Sequence, residues 1–216
     1  MKKEEYFTSD NIEMRSKELI TSIYSQVRRR ELKINKAALI VCDMQDYFLD
    51  AVSHAFVPSS KAIISNINLL INLFKSNDLH VIFTQHLNND QNAQMLALWW
   101  KDTINELKPL YKINKDIEYN SEKIIRKTQY DAFFKTELND FLSENNIDSV
   151  IICGVMTHLC CESTARAAFH FGYNVIIPID GTATYNFKLF EASLLIMAHG
   201  FAHIDTTQNI QGAINK

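Results

Sequence analysis

Six short strand-like runs recur along the chain, and a segment of helical periodicity precedes each one. The runs are Ala37–Asp43 (AALIVCD), Leu79–Thr84 (LHVIFT), Glu122–Lys127 (EKIIRK), Ser149–Gly154 (SVIICG), Asn174–Ile179 (NVIIPI) and Phe201–Asp205 (FAHID). The first is the most continuously apolar, as expected of a strand buried on both faces. The segments between them, 8–30, 59–74, 91–105, 132–144, 159–171 and 187–199, carry the period of a helix; Ile63, Ile67, Leu70, Ile71 and Phe74 share one face, as do Ile12, Leu19, Ile23 and Val27. Asp10 with Glu13 resembles a capping box for the first of them. Strand and helix alternating six times predict an α/β fold of three layers, αβα: a mostly parallel sheet with helices on both faces. At 216 residues the chain has room for one such domain and a short appendage.

Glycine narrows the function. The chain has only 5 Gly, namely Gly154, Gly172, Gly181, Gly200 and Gly212. Neither the G-x-x-x-x-G-K-[ST] phosphate loop nor the G-x-G-x-x-G dinucleotide fingerprint can be written with them. The 19 Asn are expected to take over turn positions, because Asn tolerates the left-handed conformation. A net charge of −3 gives no electrostatic footprint for nucleic acid or acidic membranes. Arg28-Arg29-Arg30 reads as a cationic last turn that complements a helix dipole. The opening MKKEEYFTSDN has no apolar signal core, and the longest apolar run, Ala37–Cys42, is too short to span a bilayer. Cys42, Cys153, Cys160 and Cys161 do not form a secreted disulfide framework. A soluble, cytoplasmic protein without nucleic-acid or membrane partners is expected.

In open α/β sheets, ligands bind beyond the carboxyl ends of the strands. Three reactive residues stand there. Asp43 follows AALIVC, Lys127 follows EKIIR, and Cys160 opens a helix after the strand SVIICG and the turn VMTHL. A helix N-terminus and a nearby ammonium both favour a thiolate, and a carboxylate can take the thiol proton and return it to a leaving group. Each residue also has a plain structural reading: a capping Asp, a solvated Lys, a Cys that behaves as a small hydrophobe. Cys42, Cys153 and Cys161 are read in that last way.

These segments resemble the isochorismatase-like family of cysteine hydrolases, which includes nicotinamidases, carbamoyl-amidases and isochorismatases. Asp43-Met44-Gln45-Asp46-Tyr47-Phe48 resembles the family's D-x-Q-x-x-F. Lys127 to Phe133 resembles K-x-x-[YF]-x-[AS]-F, and Gly154 to Ala165 resembles G-V-x-T-x-x-C-V-x-x-T-A. The resemblance spans roughly residues 37–205. It implies Asp43 as general base, Lys127 as electrostatic partner and Cys160 as nucleophile. It also implies an oxyanion hole from backbone N–H groups near Met156 and Cys160, and a cis peptide at Val155–Met156. It further implies a six-stranded sheet ordered 3-2-1-4-5-6 and a homodimer or homotetramer. Residues 37–216 are then the hydrolase domain, and residues 1–36 a helical extension packed on it or at an interface.

Nicotinamidase-type members hold a metal through an Asp-x-His pair and a further His. Leu49 to His54 does not supply that pair, and Gly200 interrupts His199 and His203. No metal and no other cofactor is expected. Isochorismatases of the family cleave a vinyl ether and carry a small residue where Cys160 stands. The cysteine therefore favours hydrolysis of a small-molecule C–N bond, amide or carbamoyl, through a thioester on Cys160. Vinyl-ether hydrolysis led by Asp43 is the alternative, and a non-catalytic binding or redox-sensing module the third. Tyr47, His86, Trp99, Tyr130, Phe134, Thr157 and His158 are the candidate substrate-binding residues, with Trp100, Met156 and Tyr185 near them. Their aromatic character suggests a small planar, partly apolar substrate.

Overall fold

Ala37–Cys42 forms strand β1, and every one of its side chains is buried, as a strand covered on both faces requires. The computed structural model describes all residues except Met1, Arg30, Glu31, Lys33, Asn35, Lys101, Ser121, Asn215 and Lys216. β2 (His80–His86) and β3 (Lys123–Lys127) lie to one side of β1, and β4 (Ser149–Val155) and β5 (Asn174–Pro178) to the other. β6 is a two-residue strand, Thr182–Ala183, paired with β4, and β7 (His203–Asp205) forms the edge beyond β5. The sheet therefore has seven strands, where six were expected, in the order β3-β2-β1-β4-β5-β7 with β6 beside β4. All these pairings are parallel. The added strand has a local cause. Pro178 ends β5, a short turn over Ile179–Gly181 steps the chain aside without changing its direction, and Thr182 and Ala183 then meet Gly154 and Val155. Two residues are too few to leave a periodic signal.

The helices are shorter than the periodicity suggests, except the one at Phe187–Gly200, which runs one residue further, through Gly200. They are α1 (Ile12–Gln26), α2 (Asp46–Leu49), α3 (Ile64–Ser76), α4 (Met95–Trp100), α5 (Leu138–Glu144), α6 (Glu162–His170), α7 (Phe187–Gly200) and α8 (Thr207–Ile214). The expected capping box is absent: Asn11 caps α1, and its side chain accepts from the Thr8 N–H behind it. Because α1 ends at Gln26, Arg28 and Arg29 are not its last turn; Arg29 instead pairs with Asp205 at 2.8 Å, and Arg30 lies outside the described residues. The segment 91–105 keeps only α4, Lys101 within it also lying outside the described residues. No helix among the described residues is long and apolar enough to cross a membrane.

The N-terminal segment is bound into this body. Tyr6 and Phe7 are buried, and both their N–H groups donate to Ser59 Oγ at 2.9 and 3.0 Å. Tyr6 Oη accepts from the Thr184 N–H, one residue beyond β6. Tyr24 on α1 brackets Ile204 of β7, donating to its carbonyl and accepting from its N–H.

The turns divide between glycine and asparagine differently from expectation. Among the five non-glycine residues with positive φ, only Asn146 is an asparagine. Asparagine acts through its side chain instead: Asn89, Asn105 and Asn114 accept N–H groups two residues ahead, and Asn186 caps α7. Gly154 is where glycine is irreplaceable. Its φ is +107°, and a Cβ there would stand 2.1 Å from the Cys42 carbonyl oxygen on β1. Backbone meets backbone at the point where β1 and β4 deliver their reactive ends. Gly154→Ala is expected to lower the unfolding free energy by at least ~2 kcal/mol, measured by urea denaturation. A variant as stable as the parent would refute this close approach.

Candidate active site

The carboxyl ends of β1, β3 and β4 bring three side chains to one point. Asp43 leaves β1 in the left-handed region at φ +47°. Thr84 on β2 holds it there: Thr84 Oγ1 accepts from the Asp43 N–H at 3.1 Å and donates to Asp43 Oδ1 at 2.5 Å. Lys127, the last residue of β3, turns inward, and its ammonium stands 2.7 Å from Asp43 Oδ2 with both side chains fully buried. This ion pair is what holds Oδ2, for which no other hydrogen-bond partner is found among the described residues. Lys127 Nζ also donates to the Gln129 carbonyl at 3.0 Å and lies 3.2 Å from Cys160 Sγ.

Cys160 does not open an ordinary helix. After the cis peptide Val155–Met156, residues Thr157–Cys161 form one wide π turn, in which the Cys161 N–H reaches back to the Met156 carbonyl at 3.2 Å; α6 begins after it. An i to i+5 turn adds a residue to the usual spacing, and it sets Cys160 at the mouth of the strand end while Cys161 is sealed in the core.

Electrostatics at the point follow from burial and neighbours. Burial raises the Asp43 carboxyl, but the Lys127 ammonium, with smaller help from His86 and the Cys160 thiol, outweighs it and holds the group below the usual carboxylate range. Lys127 is pushed above its ordinary value, Asp43 and Cys160 overcoming desolvation. Burial and then the Asp43 charge drive the Cys160 thiol well above its usual value, with Lys127 opposing. The sequence reading expected the opposite sign at Cys160. The difference lies in burial, which penalises a lone thiolate more than the ammonium rewards it. The resting site therefore holds a carboxylate, an ammonium and a neutral thiol.

His86, at the end of β2, completes the cluster. Its Nδ1 lies 3.3 Å from Lys127 Nζ and its Nε2 lies 2.8 Å from Asn88 Oδ1. Burial first, then Lys127, pushes its pKa down to about 4, so it is neutral. Gln45 fixes its backbone from both sides, accepting from the His86 N–H at 2.8 Å and donating to the His86 carbonyl at 3.1 Å.

Cys160 opens onto a cleft of about 520 Å³ including its mouth. Tyr47 and Phe48 of α2, Trp100 of α4, Tyr130 after β3 and Tyr185 after β6 wall it, and Met156 and Leu159 flank the sulfur. Trp100 Nε1 donates to Tyr130 Oη at 2.5 Å, tying two walls together. At the mouth, Tyr47 Oη lies 2.6 Å from His54 Nε2 and donates to Asp102 Oδ2 at 2.9 Å, and Lys108 pairs with the same Asp102.

Of the candidate substrate-binding residues, Tyr47, His86 and Tyr130 line this cleft. Four do not. Trp99 is 74% exposed and points away, because the phase of the short α4 turns Trp100 inward instead. Phe134 is exposed on the outer surface beneath Lys135. Thr157 is fully buried under the turn. His158 bonds to Thr184 Oγ1 at 2.5 Å and faces a separate groove with Asp131 and Glu162. Asn88 and Asp102 were not foreseen. Thr84 stands at the end of the second strand run, Gln45 in the D-x-Q motif and His54 just after it, but the sequence assigns none of the three a partner in the site.

Metal binding was tested on the donor set. Asp43, His86 and Cys160 offer ligand atoms within 4.8 Å of one another. The Lys127 ammonium already lies among them, at 2.7, 3.3 and 3.2 Å. A second cation would be forced against the first, so this group does not fit a metal.

The family model for the isochorismatase domain matches residues 37–209. Nicotinamidase 3 of Arabidopsis thaliana is 34% identical over 184 residues, covering 83% of this chain and 89% of that protein. A cysteine hydrolase from Pseudomonas syringae pv. phaseolicola superposes with a TM-score of 0.84 at 23% identity, over 88% of this chain and 98% of that one. The pyrazinamidase of Pyrococcus horikoshii, solved in complex with zinc, superposes at 0.71 with 24% identity, over 80% and 99%.

A neutral, buried His86 has a consequence for stability. Its folded pKa of about 4 lies below the ~6.5 of a free histidine, so acid protonates the unfolded chain first. Stability is undiminished above pH ~6.5, falls between there and pH ~4, and levels off below, the share from His86 being about 3 kcal/mol. Urea denaturation at a series of pH values should show that slope, and His86→Asn should reduce it to the part that remains from His158, whose pKa burial also lowers to about 4.

Proposed function

Since the chain belongs to the isochorismatase family of hydrolases, we propose that it hydrolyses the C–N bond of a small, neutral, planar amide through a thioester on Cys160, without a metal. The single observation behind this is the Asp43–Lys127–Cys160 contact at the floor of an aromatic cleft. The cleft's lining among the described residues contains no Lys or Arg facing in from its walls, and its one carboxylate is Asp102. Isochorismate carries two carboxylates and would meet no free cation there, so the vinyl-ether reading is the weaker one. An amide carries no net charge. The relative named nicotinamidase points the same way, since nicotinamide is a planar aromatic amide.

The steps use this chain's own groups. The Cys160 proton moves to Asp43 Oδ2, the oxygen that Thr84 does not hold. That transfer keeps the site neutral overall, with acid, ammonium and thiolate in place of carboxylate, ammonium and thiol. The raised thiol pKa measures loss of the proton to water, which would strand a net negative charge in the core; internal transfer avoids that cost. The thiolate attacks the amide carbon. The backbone N–H groups of Met156 and Cys160 receive the oxyanion, the neighbouring Leu159 and Cys161 N–H groups being committed to the Met156 carbonyl. Asp43 gives its proton to the departing nitrogen, and ammonia or an amine leaves. Asp43 then takes a proton from water, which cleaves the thioester to a carboxylic acid, and the proton returns to sulfur.

Nicotinamide is the first substrate to try, with ammonia release as the readout. Cys160→Ala and Asp43→Asn should each reduce turnover by at least ~10³-fold, and intact-mass measurement should find an acyl adduct confined to Cys160. Chelators should leave the rate unchanged. Undiminished turnover in Cys160→Ala would sink the nucleophile assignment.

A further inference from the structure

The Lys127 ammonium has three hydrogens and four acceptors around it: Asp43 Oδ2 at 2.7 Å, the Gln129 carbonyl at 3.0 Å, Cys160 Sγ at 3.2 Å and His86 Nδ1 at 3.3 Å. The two shortest contacts are to oxygens. The two longest, to sulfur and to the imidazole nitrogen, share what remains. We propose that His86 is a positioning residue that holds the third ammonium hydrogen whenever Cys160 carries no charge, and yields it to sulfur when the thiolate forms. The inference rests on the reading of Cys160 as the nucleophile.

The tautomer that this needs is set by neighbours. Asn88 Nδ2 donates to the Thr128 carbonyl at 2.9 Å and to Asn92 Oδ1 at 3.3 Å. A carbonyl only accepts, so the amide cannot be flipped, and Asn88 Oδ1 must face His86. Nε2 of His86 therefore carries the proton and donates it to Oδ1 at 2.8 Å. Nδ1 is left with its lone pair toward the ammonium. A ring protonated on both nitrogens would set two positive donors against each other in a sealed site.

The device works by rotation about the lysine's last bond, with no displacement of the chain. In the resting site, the thiol is a weak acceptor, and the hydrogen belongs to Nδ1. When the S–H bond breaks and an O–H bond forms on Asp43, the thiolate becomes the stronger acceptor, and the hydrogen turns to it. No proton leaves Lys127 in either step. When sulfur becomes part of a thioester its charge is gone, and the hydrogen returns to Nδ1. Without His86, a buried charged N–H would have no second partner in the thiol and thioester states, and an unpaired buried donor is costly.

The expected signature is the reverse of what simple loosening of the site would cause. In His86→Leu the ammonium hydrogen has only sulfur to turn to, so the thiolate is favoured at rest. The rate of Cys160 alkylation by iodoacetamide, followed across pH with the modified peptide identified by mass, should show its midpoint about one pH unit or more below that of the parent. His86→Asn, whose side-chain oxygen can stand near the place of Nδ1, should bring the midpoint back toward the parent. Asn88→Ala, which frees the tautomer, should lower it by a smaller amount and provides the test if His86→Leu fails to fold. A midpoint unchanged or raised in the folded variants, or no recovery in His86→Asn, overturns the proposal. Because alkylation does not depend on the substrate, these outcomes are separate from turnover in Cys160→Ala, which tests the nucleophile itself.

Discussion

A salt bridge with both side chains sealed from water is the constraint on which the rest of the site is arranged. Lys127 and Asp43 stand 2.7 Å apart at the ends of β3 and β1, two strands that are not neighbours; β2 lies between them. Burying two charges costs several kcal/mol for each, and attraction repays it only when the remaining donors and acceptors are satisfied. The structure spends its polar groups on that requirement. Thr84 on the intervening strand fixes Asp43 Oδ1, and the Gln129 carbonyl and His86 take up ammonium hydrogens. Asn88 and Gln45 hold His86 in turn. Removing either ion would leave the other unpaired, so the pair and its polar shell persist together or not at all.

The strand ends were legible in the sequence for a physical reason. A parallel strand covered on both faces must be apolar throughout, so the first polar residue after it marks where the chain leaves the sheet. Asp43 was found that way, Lys127 as the end of an edge strand whose Lys123 and Arg126 are exposed, and Cys160 by its place after the turn that follows β4. The resemblance of D-x-Q, K-x-x-Y and G-V-x-T-x-x-C to known segments drew the same three residues together. What was not legible depends on a rotation or a contact between distant segments. A tryptophan pair at 99–100 carries no mark of which ring faces inward, since neighbours on a helix point about 100° apart; six residues of α4 do not define a face. Thr157 and His158 were misplaced because the π turn shifts the phase by one residue after Met156. Asn88 and Asp102 act through partners 40 and 55 residues away, Thr128 and Tyr47, and no local pattern records such pairs.

Scarcity of glycine sharpened one position and misled at others. Gly154 stands where β4 passes so close to Cys42 that a side chain has no place, and the residues that follow it carry the nucleophile. Elsewhere the chain makes left-handed turns with Asp, Gln and Lys as well as Asn. Asparagine serves mainly as a side-chain acceptor for nearby N–H groups, the property that makes it useful in turns without requiring positive φ. Composition showed that glycine was withheld; only the backbone angles show what replaced it.

Neutrality links the resting chemistry to the choice of substrate. Carboxylate, ammonium, thiol and neutral imidazole sum to zero, and so do acid, ammonium, thiolate and imidazole after the proton has moved. A thioester restores carboxylate and ammonium with an uncharged sulfur, again zero. Every stage therefore avoids a net charge in a region closed to water, where an isolated charge is most expensive. An anionic substrate would break that balance, and the aromatic walls of the cleft offer nothing to restore it. A neutral amide keeps it through binding and attack. The charge balance at the floor of the cleft and the walls above it, which offer no free cation, thus act in one direction, toward an uncharged molecule whose carbonyl can reach Cys160.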